Sequence, residues 1–171
     1  MAKKKENNAP SLEEQLLAIL EHNARIPSAG IADQLGISAE EVEAILHRLE
    51  ENKTILGYRA VYDPEKHPEE VVTCLIEVKV TPQRGVGFDK IAERIYRFPE
   101  VRSLFLMSGA YDLLVVVEGK SIHEVSYFVF EKLATLDHIQ STSTHFMLKK
   151  YKDNGIVIGQ LEEVERLPVS P

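Results

Sequence analysis

Six histidines, one cysteine and twenty lysine or arginine residues are the side chains of this 171-residue chain with chemistry to offer. His22, His47, His67, His123, His138 and His145 are scattered, and none stands at metal-ligand spacing from another histidine or from Cys74. Gly85-Val86-Gly87 is too short for a phosphate-binding loop, and there is no nucleophile elbow. The chain is therefore expected to hold no catalytic residue, no metal and no cofactor. Cys74 lies in an apolar run and reads as a buried, inert thiol. A single cysteine excludes an internal disulfide framework and fits a reducing cytoplasm. The basic residues could bind phosphate, but 27 acidic residues outnumber them and leave a net charge of -7. The chain as a whole has no attraction for nucleic acid or an anionic membrane, so any cationic footprint must be local. No apolar run approaches the length of a membrane span.

The elements that must position these residues fall into two halves. A hydrophobic fraction of 44% supplies one ordinary core or two small ones. The start, MAKKKENNAP, is basic with no apolar core behind it, so residues 1–10 are expected to be a disordered arm and not a secretory signal. Ser11 and Glu14 form a capping box, after which Leu12, Leu16, Ile19 and Leu20 share one helical face, ending near Asn23. Residues 24–27 connect to a short helix capped by Ser28, which carries Ile31, Ala32 and Leu35 and stops at Gly36. Ser38 and Glu41 make a second capping box, opening a third helix with Val42, Ile45, Leu46 and Leu49. Two short helices across a Gly-Ile-Ser turn form a helix-turn-helix signature. The strand-like residues 54–62 behind them would make it winged, giving a DNA-binding domain over residues 11–62.

Residues 63–70, with two prolines and many charges, read as a linker. Residues 71–80 form a strand with Cys74, Ile76, Val78 and Val80 on one face and Glu77 and Lys79 on the other. A loop over residues 82–87 precedes a helix carrying Phe88, Ile91, Ala92 and Ile95, which ends before Pro99. Residues 101–119 read as two apolar strands around a Ser108-Gly109-Ala110-Tyr111 connection, an antiparallel hairpin expected at the centre of the sheet. Ser121 with Glu124 is a third capping box, opening a helix through Val125, Phe128, Val129 and Leu133. Residues 139–151 complete the domain as a long strand. The order β-α-β-β-α-β over residues 71–151 is the ferredoxin-like, split βαβ pattern, so the fold class is α+β. Both helices cover one sheet face, and the other needs a partner, most simply a second copy around a two-fold axis. Leu104, Leu106, Leu114 and Val116 supply one face or the other; periodicity leaves this open. Asn154-Gly155 signals a hairpin within a 152–171 extension, an added edge strand outside the part that matches a family.

The chain resembles the Lrp/AsnC family of transcription regulators. The matching text is LEHNAR (20–25), ADQLGIS (32–38), RLE (48–50), ILGYRA (55–60), YDPEK (62–66) and SGAYDLL (108–114). Their order and spacing extend over nearly the whole chain. The resemblance implies a cytoplasmic, homodimeric or higher oligomeric, sequence-specific regulator of duplex DNA, with the third helix in the major groove. Family members usually carry basic residues along that helix, around the positions of Ala44 and Ile45. Here it presents Glu40, Glu41, Glu43, Glu50 and Glu51 against Arg48 and a neutral His47. Phosphate contacts need lysine or arginine. The candidates are the Lys3-Lys4-Lys5 arm, Arg25, Ser38, His47, Arg48, Lys53 and Arg59. Arg48 also has the plain reading of a solvated charge paired with a nearby glutamate.

In the family, amino-acid effectors bind between neighbouring C-terminal domains near the turn of the central hairpin. The resemblance carries this to Ser108, Gly109, Tyr111 and Asp112, with Thr142 and Thr144 of the last strand completing the site. Asp112 could accept an ammonium group, and Gly109 lets a backbone amide approach a carboxylate. The alternative is that both only make the turn. Two other functions share the scaffold. One is a sirohaem-decarboxylase-like enzyme using Tyr96, Arg97 and Arg102. The other is a ligand sensor whose winged domain no longer contacts DNA.

Overall fold

The computed structural model describes residues 10–81 and 87–159. The expected arm apart from Pro10, most of the 82–87 loop and the last twelve residues of the extension lie outside that range. The chain divides into two compact units, Met1–Ala60 and Val61–Pro171, each with its own core.

The first unit holds α1 (Leu12–His22), α2 (Ser28–Leu35) and α3 (Ala39–Glu51). Both expected capping boxes close. The Ser11 hydroxyl accepts from the Glu14 amide at 3.2 Å, and the Glu14 carboxylate accepts from the Ser11 amide at 2.7 Å. Ser38 and Glu41 repeat the exchange at 3.2 and 3.0 Å. Each box satisfies amide donors that the first helical turn leaves orphaned. Ser28 does not cap α2: Pro27 is the N-cap, no side chain accepts there, and Ser28 is the first helical residue. Pro27 has its φ fixed by the ring and already holds the extended conformation an N-cap needs (φ -68, ψ 153). Gly36 ends α2 in the left-handed region at φ 69, where any side chain strains the backbone. Leu16, Ile31, Ala32, Val42, Ile45 and Leu49 bury together and hold the three helices at this turn.

Residues 54–62, expected as a strand, form none. A strand needs a second extended segment for its amides, and the described part of this unit offers only helices. The segment is tied down through the Tyr58 hydroxyl, which donates to Glu50 at 2.8 Å. Burial raises the Tyr58 pKa, and the Glu50 hydrogen bond and charge raise it further.

In the second unit a 3-10 turn, Pro64–Lys66, occupies the expected linker. β1 (Val72–Val80), α4 (Gly87–Tyr96), β2 (Val101–Leu106), β3 (Leu113–Gly119), α5 (Ile122–Tyr127) and β4 (Ile139–Phe146) follow in the expected order. The antiparallel sheet runs β2-β3-β1-β4. The hairpin is antiparallel as read, but it is not central: β3 and β1 are interior and β2 is an edge. β4 ends at Phe146, not at residue 151.

The register settles the faces. Leu113, Val115 and Val117 lie across from Val78, Ile76 and Cys74, and all six are buried under α4 and α5. Leu104 and Leu106 pair with Val115 and Leu113 and share that helix-covered side. Leu114 and Val116 pair with Phe105 and Ser103 on the opposite side, with Glu77 and Leu75 beyond. Ser121 caps α5, but the Glu124 carboxylate accepts from the Lys120 amide at 2.6 Å, one residue short of a closed box. After Tyr127 the helix widens into a π-turn, Phe128–Leu133, with the Ala134 amide donating to Val129 at 2.8 Å. The widened turn puts Phe128, Val129 and Leu133 into the core. Its Lys132 ammonium donates to Glu100 at the foot of β2. Burial pushes the Glu100 carboxyl up, but the Lys132 hydrogen bond and charge and a backbone amide outweigh it, so the pKa is lowered. Asn154-Gly155 does turn a hairpin, Lys152–Asp153 with Ile156–Val157, but it forms a separate two-stranded sheet and adds nothing to the main sheet's edge.

Burial drives the Cys74 thiol up to about 11. Cys74 is completely buried between Val117 and Phe146 in the register. Native protein at pH 8 is therefore expected to react with an aromatic disulfide reagent at least ~100-fold more slowly than urea-unfolded protein, since thiolate and access are both missing. Equal rates would contradict the burial.

Candidate functional site

Two regions carry the residues singled out in the sequence. The first is α3. Successive helical residues turn by about 100°, so Val42, Ile45 and Leu49 face the core and Glu40, Glu43, Ala44, His47 and Glu51 face away from it. All five are exposed. That outer face has three carboxylates and no lysine or arginine. His47 is spent within it, its Nδ1 lying 3.4 Å from Glu51. Arg48 stands on the flank and donates to Glu13 of α1, not to a glutamate of its own helix. Ser38 is committed to its cap. Arg25, Lys53 and Arg59 are exposed and make no ion pair among the described residues. Arg25 follows α1, Lys53 sits at φ 62 just beyond α3, and Arg59 lies in the extended segment behind it. None of these free cations rides on α3, and only Lys53 adjoins it along the chain. Helical phase, which separates the outer face from the flank, could have revealed this in the sequence.

The second region is the β2–β3 connection, residues 107–112. Ser108 and Gly109 are exposed at its tip, and Gly109 has φ 142 with no heavy atom within 4 Å of the place a Cβ would take. Tyr111 is half-buried beside it. Asp112 is a brace: its carboxylate accepts from the Val80 amide at 2.9 Å, and its own amide donates to Val78 at 3.0 Å. The hairpin is thereby stitched to the end of β1. Thr142 and Thr144 pair with Val78 and Ile76, so β1 lies between them and the hairpin. At ~4.8 Å per strand they stand about 10 Å from β3. One copy of the chain therefore gathers Ser108, Gly109, Tyr111 and Asp112, and leaves the two threonines apart.

Removing the brace has a readable consequence. Asp112→Ala leaves the half-buried Val80 amide without an acceptor and is expected to destabilise this unit by about 1–3 kcal/mol. Asp112→Asn keeps an acceptor oxygen and should lose less than half of that. Urea midpoints of the two variants check it.

A helix-turn-helix unit joined to a split βαβ unit with one uncovered sheet face is the architecture of a two-domain transcription regulator. Residues 73–157 match the Lrp/AsnC ligand binding domain, so the match reaches through the Asn-Gly hairpin that was expected to lie outside it. The chain is 51% identical over 160 residues to YugG of Bacillus subtilis, an uncharacterized HTH-type transcriptional regulator, covering 93% of this chain and 96% of that one. It is 31% identical over 127 residues to the proline dehydrogenase transcriptional activator of Rhodobacter capsulatus, covering 74% and 82%. Among solved structures, a Neisseria meningitidis transcriptional regulator in complex with L-methionine superposes with a TM-score of 0.69 at 21% identity, over 88% of this chain and 96% of that one. Escherichia coli AsnC superposes at 0.63 and 24%, over 84% and 94%. The chain belongs to the Lrp/AsnC family of HTH-type transcriptional regulators. No helix among the described residues is long and apolar enough to cross a membrane.

Proposed function

We propose that the chain acts as a homodimer, or an assembly of dimers, that binds duplex DNA sequence-specifically in the cytoplasm and answers to an amino acid or related small metabolite near the β2–β3 turn. The observation that carries the assembly is the sheet face opposite the helices. Phe105, Leu114, Val116 and Leu75 form an apolar stripe there, and Phe105 is 49% exposed. Thr73, Glu77, Lys79, Ser141, Ser143 and His145 border it, with His145 3.5 Å from Glu77. A stripe of this kind with a polar border suits a self-complementary two-fold contact. Two copies would then bring two sets of Arg25, Lys53 and Arg59 to one duplex, so each weak footprint gains from the other. The L-methionine in the Neisseria relative supports an amino-acid ligand.

The tetrapyrrole enzyme fits less well. Arg97 is paired with Glu93 and does not line the groove that Tyr96 and Arg102 share. The sensor without DNA contact draws on the carboxylates of α3, and the same experiment separates it.

Retention of duplex genomic fragments is measured from 25 to 200 mM salt, with light scattering on the same samples. The regulator reading expects particles of two chains or more and retention that falls with a log-log slope of at least about -3, as four or so phosphate contacts require. Monomers at micromolar concentration, or no retention at 25 mM salt with or without amino acids, would refute it.

A further inference from the structure

A groove of about 350 Å³ lies between α4 and β2 on the helix side of the sheet. Phe88, Ala92 and Tyr96 stand four residues apart on α4 and make one wall, and Leu104, Leu106 and Leu113 make the floor. β2 is an edge strand, so the groove opens at that edge, where Leu106 is 62% exposed. Arg102 is drawn to the opposite side of the sheet by Glu118, whose pairing with Thr73 places it there. Asp89 is then the charged side chain left to the groove, and it makes no ion pair among the described residues.

Beyond β4, at the other edge, the chain turns its Asn154-Gly155 hairpin as a sheet of its own. Two such short strands barely hold together in water without a surface to lie on. Their own chain supplies little of one: Leu148 is 96% exposed, Tyr151 73%, and Ile156 and Val157 more than half. None of the four belongs to the core of the second unit. Tyr151 and Ile156 share a face of the hairpin, because residue 151 alternates with 153 and Asp153 pairs with Ile156. Residues 148–159 carry three lysines and one aspartate. Glu65 holds Lys149 and Asp153 holds Lys150, while Lys152 is exposed and makes no ion pair among the described residues. The hairpin is an apolar knob with a free cation, and the groove is an apolar slot with a free anion.

Knob and slot cannot meet within one chain. The order β2-β3-β1-β4 sets three inter-strand steps between their edges, about 14 Å in all. A two-fold axis along the strands, with the bare sheet faces together, reverses that order in the second copy. β4 of each copy then lies over β2 of the other. β4 is antiparallel to β1, and β2 runs with β1, so the end of β4 stands level with the start of β2, beside Tyr96. Packed sheets lie ~10 Å apart, and the five residues from Phe146 to Tyr151 reach up to about 17 Å. We infer that the 148–159 hairpin of each copy clasps the other copy, seating Tyr151 and Ile156 in the α4–β2 groove of the partner subunit and Lys152 against the partner subunit's Asp89. This rests on the homodimer reading and deepens it, adding a second contact to the sheet face.

Sedimentation of the full chain, wild type against Tyr151→Ala, tests the clasp. Tyr151 is exposed in the single chain, so its truncation leaves the fold and the thermal midpoint unchanged. The expected result is a dimer whose Kd rises at least ~10-fold in the variant. Asp89→Cys combined with Lys152→Cys gives a second measurement, with a short bismaleimide as the probe. The double variant is expected to yield covalent dimers and neither single variant to do so, because the two positions meet only between chains. Buried Cys74 does not compete for the reagent. A smaller rise in Kd, or a double variant that yields no more covalent dimer than the single ones, would overturn the inference. Wild-type protein that dimerises all the same leaves the homodimer reading resting on its sheet face. Wild-type protein that stays monomeric at micromolar concentration would remove both.

Discussion

Phe128→Ala is expected to remove about 3–5 kcal/mol from the second unit while leaving the melting of the first unchanged. Phe128 is 1% exposed and is among the largest fully buried side chains in the protein. It meets Phe98 edge to face, with centroids 5.5 Å apart and planes at 81°. Truncation loses the transfer free energy of the ring and leaves a cavity, and it also loses an aromatic pair worth about 1 kcal/mol. A backbone already distorted into a π-turn at Phe128–Leu133 has little slack with which to collapse around the hole. Against a typical domain stability of ~5–15 kcal/mol this is a large fraction. Cys74 lies in the same core, so its thiol provides the measurement. Its reaction rate under native conditions should rise by about 150- to 5000-fold, in proportion to the open population. Helical signal from α1, α2 and α3 should melt at its original midpoint, because Leu16, Val42, Ile45 and Leu49 belong to the other core. A rate change below ~10-fold would mean that the ring is not the keystone its burial indicates.

The second large effect is electrostatic. The double substitution Glu40→Lys and Glu43→Lys changes the outer face of α3 by four charges per chain. Duplex affinity at 50 mM salt is expected to rise at least ~10-fold, and the log-log salt slope to steepen by about 0.9 for each additional phosphate neutralised. Arg48→Ala, by contrast, should change affinity less than ~3-fold, because Glu13 already holds that guanidinium on the flank. The two substitutions together discriminate. A steeper slope in the lysine variant places α3 against the duplex. An unchanged slope would show that DNA is met by another part of the unit, with Arg25, Lys53 and Arg59 as the exposed cations left to meet it. Glu40 lies in the first turn of α3, where a carboxylate complements the helix N-terminus. The variant is therefore also expected to lose about 0.5 kcal/mol of stability in the first unit, a shift too small to unfold it.

Much of this architecture was legible along the chain, for reasons that are local. Ser11 with Glu14 and Ser38 with Glu41 mark helix starts because the groups that satisfy the first amides lie three residues apart in the chain. The apolar spacing of Val42, Ile45 and Leu49, the alternation of Cys74, Ile76, Val78 and Val80, and Gly36 at the turn are set by helix pitch, strand pleat and the Cβ penalty. These are properties of a few neighbouring residues, and no distant segment can alter them. Apart from the N-cap of α2, which falls to Pro27 and not to Ser28, the unreadable features depend on partners far along the chain. Strand order made β2 an edge and β3 an interior strand, because β1 paired with β3 and β4 and left β2 one neighbour. Residues 54–62 have the composition of a strand, yet among the described residues no extended segment receives their hydrogen bonds, and they form none. Arg48 found Glu13, 35 residues away, and Asp112 found Val80, 32 residues away. One became a paired flank charge and the other a brace, although both had read as candidates for binding. Leu104 and Leu114 have the same alternation and opposite fates, since register alone assigns them to the covered and the bare side of the sheet. Local physics selects the elements, and the free energy of pairing and burial between remote segments decides which of their side chains are left free to act.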